Sequence, residues 1–279
     1  VKKSLNLFYP LEKKFHNQCM QKINFLFSIL SVLSLSNMAE AKISTLDIPY
    51  KDGETRLEGF LAYDGPVGEK KPGVLIVHDW MGLGPFAKAK AEALARMGYV
   101  AFAVDIYGKG IRPKDQTEAG KFATEYKSNR PLLRSRINAA LAVLQKQGNV
   151  DSGKIAAIGF CFGGTTVLEL ARAGSAVRGV VSFHGGLETP MPAEAKKVKA
   201  KVLVLHGADD PYVPDAEVAN FESEMRKAGV DWQLVKYSGA VHSFTNREAG
   251  TDNSKGAAFN ESADKRSWIA MKNFFAEIF

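Results

Sequence analysis

From Gly73 onward, short apolar runs alternate with stretches whose apolar residues recur at helical spacing. Gly73–Val77 is a continuous apolar run, Phe86–Met97 has helical periodicity and stops at Gly98, and Tyr99–Val104 is apolar again. The same reading predicts strands at Lys154–Ile158, Val177–Phe183, Lys201–Leu205 and Trp232–Tyr237. It predicts helices at Asp115–Tyr126, Pro131–Gln147, Thr165–Arg172, Pro214–Lys227 and Ala263–Phe279, with stops at Gly148, Gly174 and Gly229. Brief apolar strands separated by amphipathic helices require a mostly parallel sheet with helices on both faces. Ahead of this series, Ile43–Tyr63 reads as an antiparallel hairpin turning at Lys51-Asp52-Gly53-Glu54. There is no internal repeat and no interdomain linker, so residues 42–279 are expected to form a single α/β domain.

The first 41 residues follow another pattern. Lys22 precedes a mostly apolar stretch, Ile23–Leu35, followed by Ser36-Asn37-Met38 and Ala39-Glu40-Ala41. This is the layout of a secretory signal peptide, with small residues at Ala39 and Ala41 that predict cleavage before Lys42. The apolar stretch is short for a bilayer span, so no stable membrane span is expected after processing, and the expected location is periplasmic or secreted. Met20 stands where such a signal would start, and residues 1–19 read as an over-extended start. Removing the segment removes Cys19 and leaves Cys161 as the one cysteine of the mature chain. In an oxidising compartment a lone cysteine forms no internal disulfide and remains a free thiol.

The formal charge of +7 changes meaning once the segment is set aside. Residues 1–41 hold five lysines and two glutamates, which leaves 32 basic and 28 acidic residues, a net of +4, in the remainder. Scattered lysines such as Lys196, Lys197, Lys199 and Lys201 read as a solvated face, and no nucleic-acid partner is expected.

Open sheets of this kind gather their reacting groups just past the carboxyl ends of the strands. Those ends carry His78-Asp79-Trp80, Asp105-Ile106-Tyr107, Cys161, His206 to Pro211, and Ser238 to His242. Cys161 sits in Gly159-Phe160-Cys161-Phe162-Gly163, between a strand and a helix, which is the pattern of a nucleophile elbow with sulfur in place of the serine oxygen. A thiol is only slightly ionised near neutrality and needs a base or an electropositive setting. His242 lies before the last helix, and the order Cys161, acid, His242 matches the nucleophile, acid, histidine order of α/β-hydrolases. Asp209 and Asp210 are both available as the acid. Asp210, directly before Pro211, is expected to hold His242, with Asp209 as a solvated or turn-capping residue. Backbone N–H groups of Phe162 and Trp80 are the expected oxyanion donors.

Other chemistries find less support. His78, His184 and His206 each end a strand without ligand-like spacing, so no metal is expected. Gly82-Leu83-Gly84 lacks the third glycine and following acid of a dinucleotide fingerprint, there is no Walker sequence, and no cofactor is expected. The rival reading is a noncatalytic binding protein of the same fold with an inert elbow cysteine.

The run Gly-Phe-Cys-Phe-Gly-Gly at 159–164, the acid loop ending in Val213-Pro214, and His242-Ser243-Phe244 resemble the dienelactone hydrolase family over residues 42–279. The resemblance implies an α/β-hydrolase fold and hydrolysis of a small-molecule ester or lactone through a thioester acyl-enzyme, without cofactor. A monomer or weak homo-oligomer is expected. It also implies an acidic residue beside the resting thiol. Asp79 holds that place, one methylene shorter than the family's glutamate. Dienelactone-specific members grip the substrate carboxylate with two arginines. Lys109 stands near the first position, and Arg247 lies one residue late for the second. Lysine is a point charge that cannot form the bidentate fork, which argues against dienelactone itself. Tyr107 joins Lys109 and Arg247 as a substrate-binding candidate. Phe160, Phe162, Trp80 and Tyr107 either line an apolar pocket or pack the core.

Overall fold

The computed structural model describes residues 43–279 apart from Val67. The expected signal segment, its cleavage point before Lys42, and Cys19 lie outside the described residues. Eight strands form one sheet in the order β1-β2-β4-β3-β5-β6-β7-β8. The strands are β1 (Ile43–Asp52), β2 (Thr55–Asp64), β3 (Lys71–Val77), β4 (Val100–Val104), β5 (Val150–Phe160), β6 (Gly179–Phe183), β7 (Lys201–Gly207) and β8 (Trp232–Tyr237). β1 pairs antiparallel with β2 and β2 antiparallel with β4, while every pairing from β4 through β3 to β8 is parallel.

Strand periodicity divides the core. In β3, Leu75 and Val77 face one cluster of buried side chains, and Val74 and Ile76 face another. The first cluster is closed by α2 (Gln116–Ser128), α3 (Arg130–Gln145), α4 (Phe162–Arg172) and α5 (Asp215–Ala228). The second is closed by α1 (Pro85–Arg96) and α6 (Glu261–Ile278). Both faces of the central strands are therefore dry, which is why they read as continuous apolar runs.

The observed elements follow the expected ones closely, with two informative differences. The helix expected from Thr165 begins three residues earlier, at Phe162; Gly163 and Gly164 in its first turn have low helix propensity and leave no helical signal there. β5 starts at Val150, four residues before the expected Lys154, and the extra pairing with Lys71 and Pro72 is separated by a register shift between Pro72 and Gly73. A 3-10 turn at Pro192–Lys197 has no periodic signal in the sequence.

Every residue of α4 is buried, including Glu169 and Arg172. Arg172 compensates its burial with bonds to Glu169 Oε1 at 3.1 Å, to both Glu224 carboxylate oxygens at 2.8 and 2.7 Å, and to the Leu187 carbonyl at 2.8 Å. Arg134 adds a contact to Glu169 Oε2 at 2.7 Å. The helix that starts at Cys161 is thus anchored at its far end by a buried ionic network.

Candidate active site

Cys161 stands between β5 and α4 with φ 54° and ψ −114°, a backbone conformation that a side-chain-bearing residue holds only where its surroundings enforce it. Two glycines make that enforcement feasible. A Cβ on Gly159 would lie 2.0 Å from the Gly163 carbonyl oxygen, and one on Gly163 would lie 2.3 Å from that of Val77. The first turn of α4 therefore packs backbone against backbone on the ends of β5 and β3. The Cys161 N–H donates to the Phe183 carbonyl at 3.0 Å, and its carbonyl accepts from Gly164 N at 2.9 Å.

Asp210 and His242 reach the thiol from the loops after β7 and β8. Asp210 Oδ1 accepts from Tyr212 N at 2.9 Å, which fixes the carboxylate, and Oδ2 accepts from His242 Nδ1 at 2.8 Å. His242 Nε2 lies 3.0 Å from Cys161 Sγ. The histidine is pinned through its backbone, with His242 N donating to the Gly256 carbonyl at 3.2 Å and Ala258 N donating to that of His242 at 3.0 Å. The Tyr212 ring stands edge-on to the imidazole, centroids 5.4 Å apart. Asp209 turns away and accepts from Gly239 N at 3.0 Å as a turn cap.

Burial by itself lowers the His242 pKa, but the Cys161 thiolate charge and hydrogen bonds to Asp210 and Cys161 outweigh it and push the pKa up to about 10. A protonated ring donates at both nitrogens, to Asp210 Oδ2 and to a Cys161 thiolate. Burial lowers His78 to about 4, so that ring is neutral. His78 Nδ1 donates to the Asp79 carbonyl at 2.5 Å, and Nε2 accepts from Ile106 N at 3.3 Å. His78 thereby ties the β3 loop to the β4 loop.

That loop carries Trp80. No partner for the Trp80 N–H is present among the described residues' hydrogen bonds. Phe162, as the first residue of α4, has no carbonyl one turn earlier in the helix to accept its own N–H. Both residues line a cavity of about 1010 Å³ together with Cys161 and His242. Asp79 lines it too, but its Oδ1 accepts from Met81 N at 2.8 Å and no hydrogen bond joins it to Cys161. Burial raises the Asp79 pKa, opposed by the Met81 N–H, with Glu248 across the cavity raising it further.

The three substrate-binding candidates, Lys109, Arg247 and Tyr107, lie outside the cavity lining. Lys109 pairs with Glu58 Oε2 at 2.5 Å, outside the cavity lining. Arg247 lies over the Phe259 ring, 4.4 Å from its centroid, while its neighbours Asn246 and Glu248 face the cavity. Tyr107 is a core residue behind the site. Its ring packs on Phe122 and Phe162 and its hydroxyl donates to the Trp80 carbonyl at 3.1 Å. Phe160 is likewise buried in the core, and the lysines that do line the cavity are Lys127 and Lys255. Among the described residues, no group of three or more His, Cys, Asp or Glu is arranged to hold a metal.

Sequence reasoning weighed His184 only as a metal ligand, whereas its Nδ1 accepts from Cys161 N at 3.2 Å and its Nε2 lies 2.8 Å from the Oγ1 of Thr245. Their only signal was position: one ends β6, and the other follows His242 by three residues.

A strand-to-helix elbow at a parallel sheet edge, with acid and histidine from later strand ends, defines an α/β-hydrolase. The chain belongs to the dienelactone hydrolase family, whose family model matches residues 57–279. That membership makes it an ester or lactone hydrolase and sets aside the noncatalytic reading. A solved structure named m3DLH is 39% identical with a TM-score of 0.82, covering 85% of this chain and 99% of its own. The dienelactone hydrolase-like promiscuous phosphotriesterase P91, from metagenomic libraries, is 40% identical with a TM-score of 0.81 and the same coverage. A Bradyrhizobium protein described as a probable 2-oxo-3-(5-oxofuran-2-ylidene)propanoate lactonase is 30% identical over 203 residues, 69% of this chain and 80% of its own.

Proposed function

We propose that Cys161 is the nucleophile of ester or lactone hydrolysis. The observation that carries this reading is the unbroken chain Asp210 Oδ2, His242, Cys161 Sγ, with contacts of 2.8 and 3.0 Å. His242, charged and hydrogen-bonded at both nitrogens, stabilises a thiolate. That thiolate attacks the substrate carbonyl, and the N–H groups of Phe162 and Trp80 receive the developing oxyanion. His242 Nε2 then gives its proton to the departing alkoxide, leaving an acyl group on Sγ as a thioester. A water that loses its proton to the now neutral His242 attacks the thioester, and expulsion of the thiolate releases the acid and restores the ion pair. Asp210 keeps Nδ1–H directed away from the thiol throughout. No metal or cofactor enters these steps.

Lys109 and Arg247 lie away from the cavity, which supports neutral short esters or lactones over dienelactone as substrate. A phosphotriester joins the panel because P91 is described as a promiscuous phosphotriesterase. Stoichiometric alkylation of Cys161 by iodoacetamide is expected to abolish turnover of short p-nitrophenyl esters, and turnover that survives complete labelling overturns the assignment.

We also propose export, with a mature chain starting at Lys42 and working in the periplasm or outside the cell. The basic-then-apolar segment ending in Ala39-Glu40-Ala41 supports it. Among the described residues, no helix is long and apolar enough to cross a membrane. Mass spectrometry of the chain recovered from an exporting host should find Lys42 at the N-terminus, and an intact residue 23–35 segment contradicts processing.

A further inference from the structure

His184 is buried behind the thiol and takes no part in the steps above. Its backbone has φ 41°, in the left-handed region that non-glycine residues seldom occupy. Its ring nitrogens are both engaged. Nδ1 accepts from the Cys161 N–H at 3.2 Å, so Nε2 carries the hydrogen and donates to Thr245 Oγ1 at 2.8 Å. Thr245 is itself buried and sits three residues after His242, beyond Ser243, another residue with positive φ, at 57°. The imidazole packs edge-on against His242 and Phe244, centroids 5.4 and 5.0 Å away. One ring therefore touches the backbone of the elbow, the side of the His242 ring, and the loop that delivers His242.

We propose that His184 is a positioning residue that clasps the nucleophile elbow to the His242 loop and sets the Cys161–His242 separation. The Cys161 amide is shared between the Phe183 carbonyl and His184 Nδ1, which fixes the peptide leading into the strained residue. With that peptide fixed, Phe162 N–H is directed into the cavity. The bond to Thr245 transmits the same restraint to the other loop, so the two loops cannot drift independently. Burial, and next the charge of His242, hold the His184 pKa well below its usual value. The ring therefore stays uncharged beside a cationic partner and keeps Nδ1 free to accept. A histidine that merely filled space would need neither bond.

The inference rests on Cys161 being the nucleophile, so Cys161→Ala is assayed alongside. For short p-nitrophenyl esters, His184→Ala is expected to lower kcat about 10- to 100-fold, because small misplacements of reacting groups carry penalties of that size. KM should stay within about twofold, since the substrate cavity is untouched. His184→Asn places an amide oxygen near the position of Nδ1 and tolerates positive φ, and it should recover kcat to within about threefold of wild type. Should His184→Ala not fold, Thr245→Val removes the far bond at nearly constant shape and should lower kcat at least about threefold with KM unchanged. A folded His184→Ala with wild-type kcat overturns the proposal, as does a folded His184→Asn no better than His184→Ala, or an unimpaired Thr245→Val. Retained turnover in Cys161→Ala instead assigns the failure to the nucleophile reading.

Discussion

His242 Nε2 lies 3.0 Å from Cys161 Sγ while its Nδ1 is held 2.8 Å from Asp210 Oδ2. The imidazole thus has an acceptor at each end, and its proton affinity depends on both. Burial opposes charge, yet thiolate and carboxylate together hold the pKa at about 10. Proton-detected NMR should find the His242 ring titrating near pH 10 in the wild type and markedly lower in Cys161→Ala, where the thiolate is gone. A wild-type value near 6.5 contradicts the ion pair.

The same shift has a sign for stability. The folded state keeps a proton that the unfolded chain releases above about pH 6.5, the ordinary histidine value. The His242 contribution is therefore fully present below that pH and is lost as pH rises through about 10. Between about pH 8.5, where the unfolded thiol has also given up its proton, and about pH 10, the wild type should lose Tm more steeply than Cys161→Ala, as followed by thermal denaturation in matched buffers. Parallel slopes would show that the proton is not held.

Gly159→Ala and Gly163→Ala are expected to destabilise the fold by about 3 kcal/mol or more, or to prevent folding, because the new methyl meets backbone that has no alternative position. The close distances, 2.0 Å to the Gly163 carbonyl and 2.3 Å to that of Val77, leave no room for side-chain relief. Denaturant unfolding measures this, and wild-type stability in either variant contradicts the elbow packing.

Arg172→Ala should cost about 3–5 kcal/mol, since it strips a buried guanidinium from Glu169 and Glu224 and leaves two carboxylates poorly compensated. Arg172→Met, which restores volume but not charge, should recover little unless Glu224 is replaced too. Urea melts of the single and double variants provide the comparison.

Lys109→Ala and Arg247→Ala should leave kcat/KM for neutral esters within about twofold of wild type, because substitutions away from the reacting groups remove no transition-state contact. Their partners are Glu58 and the Phe259 ring. A tenfold loss in either variant, measured by initial rates, would return that side chain to the cavity.

The mostly parallel sheet was legible because central strands, dry on both faces, leave continuous apolar runs, and glycine marks helix ends at Gly98 and Gly229. The placement of Asp210 and His242 beside Cys161 was legible because chain order and strand-end position are local properties of the sequence. Side-chain direction was not. Lys109, Arg247 and Tyr107 sit near the expected positions, but each is claimed by a partner distant in sequence or by the core: Glu58, Phe259, and the Tyr126–Phe162 aromatic cluster. His184 was read only as a rejected metal ligand, because its two hydrogen bonds span 23 and 61 residues, which no local pattern encodes.

The central claim is that Cys161 forms and breaks the bond to the acyl group. The most direct measurement is steady-state turnover of short p-nitrophenyl esters by purified Cys161→Ala, checked for folding by circular dichroism. A fall of about a thousandfold or more in kcat is expected, the scale on which loss of a nucleophile acts. Turnover within tenfold of wild type by a correctly folded variant would contradict it.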